Sequence, residues 1–181
     1  MDAHEATMLL ARADLIHSAA TVVAAISRVA REITVRLRDR KPLLLCVMKG
    51  GLPFAGQLMT QLSFPLDVDY VDVSRYGEAT VGGTLCWRVE PPTSVAGRTV
   101  LVVDDILDEG LTLALIRDRL LQMGAEACLT AVLADKLHGR TKPLNADFVA
   151  LTVPDRFVFG YGMDAYGAWR NLPAIYAMRE D

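Results

Sequence analysis

Apolar and polar residues follow one another along this chain in short blocks that predict alternating helices and strands. Val22, Ile26, Val29, Ile33 and Leu37 recur at intervals of three or four, with charged residues between them, which is the pattern of a helix with one buried face. Other blocks are almost continuously apolar, which is typical of strands buried on both faces of a parallel sheet. These predicted strands are residues 43–47, 100–103, 128–134 and 148–153.

The remaining blocks complete a chain of the α/β class. Further helices are predicted at about 5–17, 53–62 and 111–123, and further strands at 66–73 and 85–89. The connection 74–84 contains three glycines and few large apolar residues, so we expect a mobile loop. We expect a single domain, with N-terminal helices at about 5–38, a core at about 43–153 and a C-terminal segment at about 154–181.

Composition narrows the class of protein. The chain has 181 residues and a net charge of −3, which argues against a nucleic-acid partner. Its apolar runs are too short to span a membrane, and its first residues do not have the pattern of a signal peptide. We therefore expect a cytoplasmic protein. Cys46, Cys86 and Cys128 lack metal-site spacing and are predicted to be buried, reduced thiols.

The three histidines are predicted to be surface residues. His4, His17 and His138 are widely separated and share no spacing typical of metal ligands.

The stretch 100–113 carries the densest candidate chemistry. Asp104 and Asp105 follow the apolar strand, at the edge where a parallel α/β sheet usually binds its ligand. Asp108 lies in the next turn, Gly110 permits a tight bend, and Thr112 lies where a helix begins. A strand, a short loop and a helix N-terminus form an anion cradle. Carboxylates in front of that cradle suggest a phosphorylated sugar bound with magnesium, although an acidic turn of this kind is often only a solvated loop.

A second turn adds positive charge at the same predicted edge. Lys49, Gly50 and Gly51 follow the strand 43–47 directly, and two glycines let the backbone approach a ligand closely. The lysine and the bare backbone would suit a pyrophosphate. Lys136 ends another strand and would face the same crevice.

Together these stretches resemble the hypoxanthine-guanine phosphoribosyltransferases, over nearly the whole chain beyond the first helices. The resemblance implies a type I phosphoribosyltransferase fold: a central, mostly parallel sheet flanked by helices, a small hood built from N- and C-terminal segments, and a mobile lid loop. It also implies a cis peptide between Met48 and Lys49. The stretches that carry it are 47–51, 74–77, 100–113, 135–136 and 154–164, together with Arg170.

The implied activity is purine salvage. The 5-phosphoribosyl group of phosphoribosyl pyrophosphate would pass to N9 of a 6-oxopurine, hypoxanthine or guanine, giving IMP or GMP and pyrophosphate, with Mg²⁺ as cofactor. A homodimer or homotetramer is expected, because the N-terminal helices are apolar on one side.

The resemblance also assigns roles to residues. Asp108 would be the general base near purine N7, and Lys136 would donate to the O6 atom. The other implied groups are Asp104, Asp105, Asp108, Glu109, Gly110, Leu111 and Thr112 for the ribose and 5′-phosphate; Lys49, Gly50 and Arg170 for pyrophosphate; Phe157, Val158 and Asp164, with Lys136, for the purine; Ser74, Arg75 and Tyr76 for the lid; and Asp104, Asp105 and Asp164 for metal.

Three residues depart from the family pattern. Glu109 replaces the usual threonine of the phosphate cradle, Leu111 replaces a common lysine, and Arg75 replaces a loop serine. We expect Glu109 to point away from the phosphate, because an acid facing it would weaken binding.

Two alternatives come from other classes. One is a catalytically weak regulator of the same fold that binds nucleotide or RNA, against which the acidic balance argues. The other is a response-regulator receiver, in which an acid pair like Asp104 and Asp105 ends the first strand. Here roughly a hundred residues precede that pair.

Overall fold

The computed structural model describes residues 1–75 and 85–179, without the side chains of Arg75 and Leu85. Its helices are α1 (Ala3–Arg12), α2 (Ala19–Leu37), α3 (Leu52–Met59) and α4 (Leu111–Gln122), with a 3-10 turn at Thr93–Val95. Its strands are β1 (Asp14–His17), β2 (Leu43–Met48), β3 (Asp67–Arg75), β4 (Leu85–Val89), β5 (Thr99–Leu107), β6 (Ala127–Leu137), β7 (Phe148–Pro154), β8 (Val158–Phe159) and β9 (Ile175–Ala177).

The central sheet has the order β4-β3-β2-β5-β6-β7. Every neighbouring pair is parallel except β3 and β4, which are antiparallel. A second, antiparallel sheet has the order β1-β9-β8 and joins the N-terminal segment to the C-terminal segment. Both the mostly parallel sheet and the predicted hood are thereby confirmed.

Helix α2 forms as its sequence predicts. The Ser18 side chain caps it by accepting a hydrogen bond from the Thr21 amide. Its apolar stripe, from Val22 to Leu37, is buried in the core with side chains of the central sheet. The stripe therefore serves the core.

The first predicted helix was too long. Helix α1 ends at Arg12, and Asp14–His17 instead pairs with β9. Asp14 accepts hydrogen bonds from Arg156 (2.7 Å) and Arg179 (3.0 Å), which hold the pKa of its carboxyl below the ordinary value. These partners come from the far end of the chain, so local periodicity could not reveal them.

Two strands extend further than their apolar runs. Strand β5 continues to Leu107 and β6 to Leu137, so that Asp104 and Asp105 lie inside β5. Asp104 pairs with Val132, and Leu107 pairs with Asp135. The backbone hydrogen bonds between neighbouring strands do not depend on side-chain polarity. The strands can therefore continue through polar residues.

The three cysteines are free, as predicted. Cys46 is buried, while Cys86 and Cys128 are partly buried. Burial, and then the charges of Asp104 and Asp105, raise the pKa of the Cys46 thiol to about 11.

Over residues 1–75 and 85–179, no helix is both long and apolar enough to cross a membrane. The predicted lid loop lies mostly outside the described residues, since β3 ends at Arg75 and β4 begins at Leu85. Tyr76 is among the residues that are not described.

Candidate active site

The carboxyl ends of β2, β5 and β6 meet at one edge of the central sheet. Lys49 and the two glycines follow β2, Asp104 and Asp105 lie near the end of β5, and Lys136 lies near the end of β6. Because these strands are parallel neighbours, residues far apart in sequence face one crevice, as is usual for ligand sites in open α/β sheets.

The turn after β2 packs so closely on β5 that it requires glycine. A Cβ atom on Gly50 would lie 1.9 Å from Oδ2 of Asp105. A Cβ on Gly51 would lie 2.7 Å from the carbonyl oxygens of Val103 and Val47. The Met48–Lys49 peptide is cis, as the resemblance implied. The bare backbone of this turn therefore lies directly beside the acid pair of β5.

The C-terminal segment closes on the same turn. A Cβ on Gly162 would lie 2.0 Å from the carbonyl oxygen of Gly50, and Gly162 has a φ of +104°, which favours glycine. Arg170 donates from Nη1 to the Gly162 carbonyl at 2.6 Å and forms an ion pair with Asp164. Asp164 also accepts a hydrogen bond from the Gly167 amide at 2.7 Å. The predicted residues Asp164 and Arg170 thus lie together, against the glycine turn.

The surroundings of Asp104 and Asp105 disfavour the charged forms of both carboxyl groups. Burial, and then the Asp105 charge, raise the pKa of Asp104 well above its ordinary value. Burial also raises the pKa of Asp105, although hydrogen bonds from Asp104 and Ile106 and the charge of Arg170 act in the opposite direction. A bound cation or donating hydroxyl groups would offset this cost.

The same carboxylates fit a magnesium ion by their chemistry. Mg²⁺ prefers oxygen ligands and commonly binds through one or two carboxylates together with waters and substrate phosphates. Across the described residues, no group of three or more His, Cys, Asp or Glu side chains is arranged to hold a metal ion.

Asp108 and Lys136 form an ion pair at the mouth of the crevice. Lys136 Nζ donates to Asp108 Oδ2 at 2.8 Å, and the lysine side chain is 13% exposed against 43% for the aspartate. Sequence reasoning gave the two residues neighbouring roles, and the structure brings their charged groups into contact.

The His138 side chain is buried, which contradicts the expectation of a surface residue. Its side chain is 1% exposed, with Nε2 3.1 Å from the Asp108 carbonyl oxygen and Nδ1 accepting from the Arg140 amide at 3.0 Å. His17 is likewise partly buried, with Nε2 2.8 Å from the Thr152 carbonyl oxygen. In both cases the partner is a backbone group, which a search for metal-ligand spacing does not consider.

Lys142 is the residue at this edge that sequence reasoning missed. Its ammonium donates to the Asp135 carboxylate at 2.5 Å, the Leu107 carbonyl at 2.7 Å and the Lys136 carbonyl at 2.8 Å. It lies in the polar stretch 138–142 after β6. The sequence could have indicated it only as a lysine in the loop that follows a predicted strand.

Helix α4 begins four residues after the end of β5. Gly110 precedes the helix with a φ of +78° and offers no side-chain cap, and the Ala114 amide makes the first helical bond, to the Gly110 carbonyl at 3.0 Å. The preceding amides of the first turn, including that of Thr112, lack intrahelical acceptors by the geometry of a helix. Leu111 is 46% exposed.

Glu109 lines a small pocket of about 200 Å³ together with Leu111, His138, Arg140, Thr141 and Pro143. This pocket lies along the loop that follows β6, so one side of Glu109 faces that loop.

The proposed purine-facing residues follow β7. Lys136 of β6 pairs with Val153 of β7. Phe157 lies four residues after Val153. The Phe157 ring is 46% exposed and stacks on Tyr166, with ring centroids 5.7 Å apart. Val158 is buried and pairs with Ala177 in the hood sheet. Ser74 and Arg75 are the last two residues of β3.

Comparison with known proteins agrees with this arrangement. Residues 13–166 match the phosphoribosyl transferase domain family. The hypoxanthine-guanine phosphoribosyltransferase of Bacillus subtilis (strain 168) is 40% identical over 149 residues, which are 82% of this chain and 83% of that protein. The enzyme of the same name from Streptococcus thermophilus (strain CNRZ 1066) is 32% identical over 168 residues, 92% of this chain and 93% of its own.

Solved structures give the same result. A hypoxanthine phosphoribosyltransferase from Staphylococcus aureus superposes with a TM-score of 0.88 at 25% identity, covering 99% of this chain and 96% of that one. A Trypanosoma cruzi hypoxanthine phosphoribosyl transferase superposes with a TM-score of 0.86 at 29% identity, covering 92% and 91%.

Proposed function

This chain belongs to the phosphoribosyltransferase family, and from that premise we propose that it is an enzyme of purine salvage. It transfers the 5-phosphoribosyl group of phosphoribosyl pyrophosphate to N9 of a 6-oxopurine, hypoxanthine or guanine, giving IMP or GMP and pyrophosphate. The observation that carries this proposal is the Asp108–Lys136 ion pair, which stands beside the N-terminus of α4 at the mouth of the crevice.

The 5′-phosphate would bind at the turn from Asp108 to Thr112. The first-turn amides of α4 supply hydrogen bonds, and the helix dipole favours an anion there. Gly110 supports this role because its φ of +78° lets the chain turn into the helix within two residues of Asp108.

The ribose would lie against Asp104 and Asp105. Their carboxylates would accept hydrogen bonds from its hydroxyl groups, directly or through Mg²⁺, and Asp164 would take part in a second magnesium site beside the pyrophosphate. When bound, magnesium supplies positive charge that stabilises the departing pyrophosphate. The raised pKa of both β5 carboxyls supports this role, since such groups gain from a cationic or donating partner.

The purine would separate the partners of the ion pair. Lys136 donates to O6, and Asp108 accepts the N7 proton while the N9 lone pair forms the new bond to the anomeric carbon and the carbon–oxygen bond to pyrophosphate breaks. Phe157 stacks on the ring, and the Val158 backbone contacts its Watson–Crick edge. A protonated lysine cannot be satisfied by the amino group of adenine, so 6-oxopurines are favoured.

The leaving pyrophosphate would be bound by Lys49, the Gly50 backbone and Arg170. Positive charge at the leaving group stabilises the transition state. The lid residues Ser74, Arg75 and Tyr76 would keep water from the sugar cation.

The test is nucleotide formation from phosphoribosyl pyrophosphate and Mg²⁺, with hypoxanthine, guanine, xanthine and adenine offered separately. We expect product from hypoxanthine or guanine and none from adenine. Tight nucleotide binding without product from any base would contradict the proposal and favour a regulator of the same fold.

A cytoplasmic location and a homodimer or homotetramer stay predictions. Sedimentation of the purified protein tests the second.

A further inference from the structure

Three backbone carbonyls around the Asp108–Lys136 pair are held by two side chains from the same loop. We call Lys142 and His138 the carbonyl clasp. Lys142 binds the carbonyls of Leu107 and Lys136, and His138 contacts the carbonyl of Asp108. These carbonyls belong to Asp108, to Lys136 and to the residue just before Asp108.

The clasp acts where the sheet stops holding the two strands together. The register between β5 and β6 ends at the pair Leu107 and Asp135. Asp108 lies one residue beyond β5, and Lys136 lies one residue beyond the last pair. At this end of the ladder Lys142 adds a connection between the two segments by binding the carbonyls of Leu107 and Lys136 with one ammonium.

Lys142 has no hydrogen-bond donor left for a substrate. An ammonium has three N–H groups, and all three have acceptors, at 2.5, 2.7 and 2.8 Å. The side chain is 10% exposed. A buried cation is costly compared with an apolar side chain of the same volume, so packing alone does not account for a lysine here.

The hydrogen bonds of His138 define its protonated nitrogen. The Arg140 amide can only donate, so Nδ1 of His138 accepts, at 3.0 Å. Nε2 then carries the proton and donates to the Asp108 carbonyl at 3.1 Å. The imidazole thus fixes the backbone of Asp108, and its Nε2 also lies 3.9 Å from Oδ1 of the carboxylate that contacts Lys136.

A 6-oxopurine presents N7 and O6 side by side on one edge. Two protein groups can bind these two atoms at the same time only if the distance between the groups matches the arrangement of N7 and O6. Resting on the proposed function, we propose that Lys142 and His138 are positioning residues: they hold the backbones of Asp108 and Lys136 so that both side chains bind one purine edge.

The first experiment replaces Lys142 by methionine, which keeps its length and removes its charge. We expect the KM for hypoxanthine to rise about tenfold, because small displacements of binding groups are amplified in this way. The KM for phosphoribosyl pyrophosphate should stay within about twofold, because the groups that Lys142 binds lie outside the turn 108–112 that is proposed to hold the 5′-phosphate. Lys41→Met is the matched control, since Lys41 is 66% exposed and pairs loosely with Asp67 at 3.7 Å.

A second variant guards against simple loss of folding. Lys142→Met leaves the Asp135 carboxylate without its closest partner, whereas Lys142→Met/Asp135→Asn removes that charge as well. The double variant should recover melting temperature but keep the raised KM for hypoxanthine.

Substitutions of His138 separate its two hydrogen bonds. His138→Gln places an amide donor near the Nε2 position and should retain the wild-type KM for the base. His138→Asn keeps only the acceptor for the Arg140 amide and should raise that KM.

Wild-type KM values for the base in both Lys142 variants would overturn the positioning role. So would an equal rise in both substrate KM values that follows the loss of melting temperature, since that is the result of a structural role alone. Wild-type protein that forms no nucleotide would overturn the proposed function instead.

Discussion

Two acidic groups within five residues of each other experience opposite surroundings. Asp104 and Asp105 are half-buried near the end of β5, and burial raises their pKa values. Asp108 is 43% exposed and already paired with Lys136 at 2.8 Å. The first pair gains from adding positive charge, whereas the second must give up a partner before it can act as a base.

This difference matches the order of chemical needs in a phosphoribosyl transfer. The charged forms of the acid pair are disfavoured in the free protein, so the pair would be stabilised when a sugar and a cation bind. The ion pair already brings together the lysine donor and the carboxylate acceptor that the proposed base recognition requires.

The largest effect is expected from Asp108→Asn. The amide keeps the size of the side chain but cannot accept the N7 proton, so kcat should fall by about 10²- to 10³-fold. Steady-state rates with hypoxanthine measure this loss. A rate close to that of wild type would mean that Asp108 serves only to pair with Lys136.

Lys136→Met removes the other half of the ion pair. Loss of a charged hydrogen bond to O6 should lower kcat/KM for hypoxanthine by about 10- to 100-fold. Adenine, which gains nothing from the lysine, should show no comparable loss of binding in an equilibrium competition assay. An equal loss for both bases would contradict the role of Lys136 in selecting 6-oxopurines.

The next prediction is that removing the charges of the acid pair stabilises the folded protein. Asp104→Asn/Asp105→Asn removes buried, mutually repelling charge, so the melting temperature without substrate should rise by roughly 3 to 6 °C. The same variant should need far more Mg²⁺ for activity. A lower melting temperature would show that the carboxylates are already compensated in the free protein.

The gain from that variant should depend on pH. The folded pKa of each carboxyl lies above the ordinary 3.8, so the folded protein binds protons more readily than the unfolded chain. The pair therefore lowers stability at neutral pH, and this cost disappears as pH falls from the raised pKa toward 3.8. Differential scanning calorimetry should show a smaller gap between variant and wild type at about pH 5 than at about pH 7.5. A gap independent of pH would rule out titration as its cause.

The smallest effect is expected from Glu109→Thr, which restores the usual family residue. Because Glu109 lines the pocket along the loop after β6, the KM for phosphoribosyl pyrophosphate should change by less than about twofold, as for a screened surface charge. A large decrease would show that the acid faces the phosphate.

The sequence predicted the elements of the core well but their ends poorly. The apolar run 100–103 located β5, yet the strand continues through two aspartates because β6 pairs with them. The helix predicted for 5–17 ends early because Asp14 has partners more than 140 residues away. Boundaries of this kind depend on neighbours that periodicity along the chain does not contain.

Some residues of the candidate site could likewise be predicted from the sequence, and others could not. Lys136 could be singled out because it ends an apolar strand, and Asp108 because it lies in the turn after another; parallel strands share an edge. Lys142 and His138 could not, because they reach the site through a loop that folds back onto backbone carbonyls. Residues that act on backbone leave little trace in a pattern of hydrophobic and charged positions.

The approach of Gly162 to the Gly50 carbonyl also constrains how this chain can vary. A side chain at position 162 would meet that carbonyl, and one at position 50 would meet Asp105. A neutral drift experiment that accumulates tolerated changes should therefore leave both positions unaltered, even though they are more than a hundred residues apart. Diversity introduced to alter substrate choice is better directed to exposed side chains such as Phe157, where nothing in the backbone would have to move.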